Sequence, residues 1–142
     1  MTISLATIRV DIFADVYAAI NTNVADPLAR GKQWIFSTSP NTLLPTFVGF
    51  PIIIIGAAKI GKDFEVFDNS YSDKKTPITI TIYATNKAQV DSLSDTIDVV
   101  MVPSNFSQFT FRDYSEANTE PDLGSGKVYA RTMVHSVEID NL

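Results

Sequence analysis

The order of hydrophobic patterns along the chain predicts an α+β fold, a central and mostly antiparallel β-sheet of about five strands with two helices packed on it. Three observations carry that expectation. An amphipathic helix pattern opens the chain, three strand-like runs with a break in the middle follow, and a second amphipathic helix precedes two further strands, giving the order α-β-β-β-α-β-β. Residues 77–84, PITITIYA, alternate strictly between apolar and polar, the period of a half-covered strand. The 142 residues are about the usual size of one domain, so 1–142 read as a single α+β domain with one sizeable core.

The first helix is expected from about Leu5 to Asn21, because Leu5, Ile8, Ile12, Val16, Ala19 and Ile20 recur at three-and-four spacing while Arg9, Asp11 and Asp15 fall elsewhere. Phe13 and Tyr17 form an adjacent stripe four residues apart. A helix apolar on more than one face is either sunk deep in its own core or in contact with a neighbouring subunit as well. Asp26-Pro27 ends or restarts helical structure. Trp34 and Phe36 read as a short strand leading into a loop, with Pro40 and Pro45 forbidding a long ladder.

FPIIIIGAA, residues 50–58, fits a strand buried on both faces and is the expected centre of the sheet. Gly56 and Gly61 permit a bend or bulge, after which Phe64 and Val66 alternate with Glu65 and Phe67. Residues 68–75, DNSYSDKK, are turn-rich, with Tyr71 in their middle. Such a segment is either a solvated connection or an aromatic anchor for an interface.

In PITITIYA, Ile78, Ile80 and Ile82 point one way and Thr79, Thr81 and Tyr83 the other. Asn86 reads as the N-cap of the second helix with Gln89 at its third position. Val90, Leu93, Ile97, Val100 and Met101 then face the sheet, Asp91, Ser94, Asp95 and Asp98 face solvent, and Pro103 closes the segment. Phe109 and Phe111 begin another strand, and residues 128–139 a last one. SEANTEPDLGSG between them, residues 115–126, is expected to be a long hairpin loop.

Composition excludes several functions. With 11 basic against 16 acidic residues the formal charge is −5, unsuited to a surface that must neutralise phosphates. There is no cysteine, hence no disulfide, thiolate nucleophile or Cys-ligated zinc. Met1 to Val10 lacks the basic and apolar regions of a signal peptide, and the longest apolar stretch, Phe47 to Ala58, is interrupted by Gly49 and Pro51 and too short to span a bilayer. The expectation is a soluble intracellular product. Charged residues are only 19% of the chain, below the usual quarter, which suggests that a partner covers part of the surface.

Catalytic chemistry has little to draw on. His135 is the single imidazole, set mid-strand, where an ordinary strand histidine is expected, with Arg131 and Glu138 as structural or interface neighbours. Asp91, Asp95 and Asp98 line one helix face, most simply a solvated acidic face rather than a cation site. Asp113, Glu116, Glu120 and Asp122 lack the ligand spacing of a calcium loop. Gly56 to Lys62 imitates a phosphate-binding loop, but Asp63 stands where Ser or Thr belongs and a strand pattern follows. No catalytic residue, cofactor or metal is expected.

The helix IRVDIFADVYAAI, the strand FPIIIIGAA, the unit PITITIYATNKAQVDSLSDTIDVV and the closing strand KVYARTMVHSVEID together resemble the tail-terminator and tail-completion proteins of long-tailed bacteriophages. The resemblance lies in pattern and length and covers most of the chain, but Trp34 to Phe47 and Glu116 to Lys127 have no counterpart. It implies a virion structural protein with no catalytic residues, assembled in the host cytoplasm. Such a protein forms a ring, typically a homohexamer, that caps the tail tube, stops its growth and meets the head-completion connector, while DNA passes through without specific binding. Candidate interface residues under this reading are Phe13, Tyr17, Tyr71, Asp73, Lys74, Lys75, Glu116, Asp122 and Leu123. Asp91, Asp95 and Asp98 are candidate lumen-facing acids that would repel phosphate, in which case replacing them with Asn leaves assembly intact. Two readings stand beside it: a head-to-tail joining protein of the neck, and a small-ligand binding domain or an enzyme using only carboxylates.

Overall fold

The computed structural model describes residues 7–57, 63–64, 71–73, 75–106, 108–119 and 128–139. The elements are α1 (Ile8–Asn23), β1 (Ile35–Phe36), β2 (Ile52–Ala57), β3 (Asp63–Phe64), β4 (Tyr71–Asp73), β5 (Lys75–Ala84), α2 (Lys87–Val100), β6 (Phe109–Thr119) and β7 (Tyr129–Ile139). A 3-10 turn, Pro103–Asn105, follows α2. Five strands form one sheet in the order β1-β2-β5-β7-β6, and β3 pairs with β4 in a separate two-stranded ribbon. Only β1 runs parallel to its neighbour; β2, β5, β7 and β6 are joined antiparallel. Leaving the ribbon aside, the elements follow the expected order α-β-β-β-α-β-β, and the fold is α+β.

The alternation of β5 decides which side of the sheet is dry. Ile80 lies between Ile55 of β2 and Met133 of β7, and all three are buried. They join one core cluster with Ile12, Val16 and Ile20 of α1 and Val90, Leu93, Ile97 and Val100 of α2, so both helices pack on that face. The opposite face carries Thr79, Thr81, Tyr83, Thr132 and Val134, all half-buried. There the Thr81 and Thr132 hydroxyls meet at 3.2 Å, a cross-strand pair that matches the register.

Asn86 caps α2 as its position implies, its side-chain oxygen accepting from the Gln89 N–H at 2.8 Å. Asn86→Ala is expected to cost about 1 kcal/mol, read as a lower urea midpoint at unchanged slope. A loss below about 0.3 kcal/mol would show that the cap contributes nothing.

Several expectations are corrected. α1 begins at Ile8 and ends at Asn23, where Asn23 Nδ2 donates back to the Ala19 carbonyl at 2.7 Å; Leu5 lies outside the described residues. The β-branched run of β2 is next to the edge rather than central, because its outer neighbour β1 is only two residues long; β5 takes the centre. Gly56 sits in regular strand, and what it provides is close approach: a Cβ there would lie 2.6 Å from Thr79 Oγ1. Tyr71 falls in strand β4, not in a loop. Ser94 is buried, donating to the Val90 carbonyl at 2.7 Å, which lets a serine sit on the core side of a helix. Residues 115–119 belong to β6, since ten-residue pairing with β7 overrides their turn-forming composition. Gly61, Glu65, Val66 and Phe67 lie outside the described residues.

No helix among the described residues is long and apolar enough to cross a membrane.

Candidate functional site

The two lateral edges of the sheet are unlike each other, and most surface features that point to a partner gather at them. At the β1 edge the chain between α1 and β2 is irregular, yet it is firmly tied. Asp26 accepts from the backbone N–H of Leu28 at 2.9 Å and of Arg30 at 3.0 Å, closing an Asx-type turn in which Ala29 adopts a left-handed φ of 47°. The Arg30 guanidinium then bridges to Asp26 through Nε at 2.9 Å and Nη2 at 3.1 Å. It also donates to the carbonyls of Val48 (3.3 Å), Gly49 (2.8 Å) and Pro51 (2.7 Å). Its Cζ lies over the buried Trp34 ring, 5.8 Å from the ring centroid. Every N–H of one guanidinium is thereby used. These hydrogen bonds hold the Asp26 carboxyl below its ordinary value.

The segment that Arg30 fastens carries Leu43 and Leu44, which are 75% and 52% exposed. Two adjacent leucines in water on a loop are an apolar knob, with nothing among the described residues over them. Leu28, on the neighbouring turn, is exposed too.

At the other edge, residues 112–119 of β6 are exposed without a break, and among the described residues no strand pairs with their outer side. The side chains there form pairs with α2 and β7. Arg131 donates to Asp91 at 2.6 Å and to Asn118 at 2.7 Å, and Arg112 pairs with Glu138 at 2.8 Å. Tyr114 donates its hydroxyl to Glu116 at 2.9 Å; partial burial and that bond push the phenol pKa up. Asp98 is raised from its ordinary value by burial first, then by the like charges of Glu116 and Asp95. His135 is 6% exposed, its Nε2 has no hydrogen-bond partner, and burial lowers its pKa. It is therefore a neutral imidazole at neutral pH.

The sequence-derived candidates separate under this geometry. Phe13 and Tyr17 are half-buried, their rings 5.6 Å apart, and both pack against the core cluster, which favours the first of the two roles weighed for that stripe. Asp91 is bound to Arg131, so Asp91, Asp95 and Asp98 are not one uniform acidic face; the latter two are exposed. Glu116 is exposed on β6, and Arg131 and Glu138 serve as pairing partners. Asp73 and Lys75 lie in β4 and β5. Lys74, Asp122 and Leu123 lie outside the described residues, as does Glu120. Reading along the sequence missed Arg30, Leu43, Leu44 and Tyr114. The signals were present in Asp26 and Arg30 at a spacing of four, and in a Leu-Leu pair set among Pro, Ser, Asn and Thr. Among the described residues no group of three or more His, Asp or Glu is placed to hold a metal ion.

No protein-family model and no curated protein matches the chain.

Proposed function

We propose that this protein is a virion structural subunit, a tail terminator that closes into a ring, caps the tail tube and presents a face to the head-completion connector. The observation that carries the reading is the asymmetry of the two sheet edges. A head-to-tail ring buries a different patch on each side of every subunit. The chain that joins the outer strand β1 to β2 offers an apolar knob, Leu43 and Leu44, and the other outer strand, β6, offers eight exposed residues in a row. The pattern resemblance supplies the tail end of a phage as the setting. DNA passing through such a ring meets a chain of net charge −5, which favours sliding over adhesion.

Light scattering across a concentration series tests this. The expected result is a discrete species of six times the 15.6 kDa subunit mass, or a monomer that closes into that species as concentration rises. Replacing Leu43 and Leu44 together by Asp is expected to raise the midpoint of association by about a hundredfold while leaving the thermal midpoint unchanged, since both side chains are solvated in the monomer. A strict monomer at every concentration would overturn the ring and favour a neck protein that orders against a different chain.

A further inference from the structure

The two sides of the sheet differ at β6. On the helix side, where β6 shifts register between Phe111 and Asp113, the Phe111 and Tyr114 rings stand against the buried His135, with centroids 6.1 and 4.9 Å from it. Neither helix lies on the other side.

That second face is laid out by the strand register. Side chains of directly paired residues stand next to each other, so one row crosses four strands from Ile54 of β2 through Thr81 and Thr132 to Ala117 of β6. Parallel rows through Tyr83 and Thr79 flank it. No residue of the three rows is charged. Exposure rises outward, from half-buried at Ile54, Thr81 and Thr132 to exposed at Ala117. With strands about 4.8 Å apart and same-face residues about 6.8 Å apart, the patch covers roughly 300 Å².

The same chain holds a surface that matches it. Residues 33–58 carry no charge either, and from that segment Leu43 and Leu44 project, both exposed. Taking water from a charged group without offering it a partner is costly. The rows and the leucine loop can meet without stranding any charge, as at the charge-poor centre of a protein interface. Area argues against the face stacking on its own image: a stable interface buries about 800 Å² on each partner, so this patch serves as one part of a larger contact. The exposed leucines are not seated on their own subunit's rows. Their loop follows one outer strand, β1, and the rows run out to the other, β6, which places the two surfaces to meet between neighbouring copies.

We propose that the uncharged rows around Thr132 and Ala117 are the seat for Leu43 and Leu44 of a neighbouring copy of this chain. The assignment rests on the head-to-tail ring and names two surfaces that meet in it.

The chain has no cysteine, so introduced thiols report without background. Thr46→Cys, beside the leucines, and Ala117→Cys, in the seat, are both at exposed positions. The two variants are mixed at low concentration, concentrated together and treated with a short bismaleimide, which spans separations that a disulfide cannot. The mixture is expected to give a covalent dimer that neither variant gives alone. The dimer should be lost when Leu43 and Leu44 are replaced by Asp in the Thr46→Cys chain; an unchanged yield would show that the leucines are not what docks and would overturn the seat. Cross-linking of Ala117→Cys to itself also overturns it, because the rows then face their own image. Light scattering separates this result from the fate of the ring. A sixfold mass without mixed cross-links leaves the ring standing and removes the seat. Mixed cross-links between chains that never reach that mass keep the seat and remove the hexamer, and a strict monomer without cross-links removes both.

Discussion

Arg30→Met is expected to destabilise the protein by about 2 to 3 kcal/mol, because a half-buried ion pair and the donor to three carbonyls are lost together. The Asp26 and Arg30 side chains are each 11% exposed, so Asp26 would be left half-buried without its counter-charge, and the carbonyls of Val48, Gly49 and Pro51 would lose their donor. In a domain whose total stability is typically about 5 to 15 kcal/mol, such a loss is severe. It should lower the thermal midpoint by roughly 10 °C. Arg30→Lys is not expected to rescue it, because one ammonium cannot reproduce a planar fork that serves a carboxylate and three carbonyls at once. Recovery by lysine to within about 1 kcal/mol of wild type would show that charge alone matters and the fork does not.

The acid limb gives a second reading of the same interaction. The Asp26 carboxyl is held below its ordinary value of 3.8, chiefly by the Arg30 hydrogen bonds. Its contribution to stability is therefore complete above pH 3.8 and is lost as pH falls through the lowered value. In Arg30→Met that part of the pH dependence should shrink to what the two backbone N–H bonds to Asp26 retain. Hydrogen exchange should show residues 43–51 opening before the sheet does, since Arg30 fastens that segment to the turn at Asp26 and the knob at Leu43 and Leu44 is presented only while it is fastened.

What was legible in the sequence was local. The 3.6 and 2.0 periodicities placed Ile12, Val16 and Ile20 of α1 and Ile78, Ile80 and Ile82 of β5 in the core, because in each case the residue's own neighbours along the chain determine which way it points. The Asn86 cap was equally readable, since donor and acceptor are three residues apart. Position within the sheet was not readable. FPIIIIGAA looks central by composition, but strand order depends on what pairs with β2 on its far side, and that partner is the two-residue β1. The polar residues 115–119 form strand only because β7 supplies a ladder for them. The Arg30 contacts span 18 to 21 residues between two irregular segments, where no periodicity exists to mark them. The environment of His135 arises from a register shift in a different strand, so its unpartnered nitrogen and aromatic neighbours could not be inferred from KVYARTMVHSVEID.

Ile80→Ala is the core substitution expected to cost most, about 3 to 4 kcal/mol. The residue is fully buried in the central strand, between Ile55 and Met133 across the sheet and in the same cluster as both helices. Truncation there leaves a hole walled by β-strands on two sides, and strands held by ladders cannot close in as a loop could. Ile80→Val, which removes one methyl, should cost about 0.5 to 1.5 kcal/mol. Thr81→Ala tests the same strand from its other face. Its hydroxyl meets Thr132 at a half-buried position, so the loss should stay near or below about 1 kcal/mol. The contrast between adjacent residues is the informative quantity, because slipping the register of a strand by one residue exchanges its two faces entirely. Urea denaturation of the three variants at one protein concentration suffices. A larger loss for Thr81→Ala than for Ile80→Ala would place the helices on the threonine face and overturn the packing of the sheet, and with it the side of the molecule on which α2, Asp98 and His135 are found.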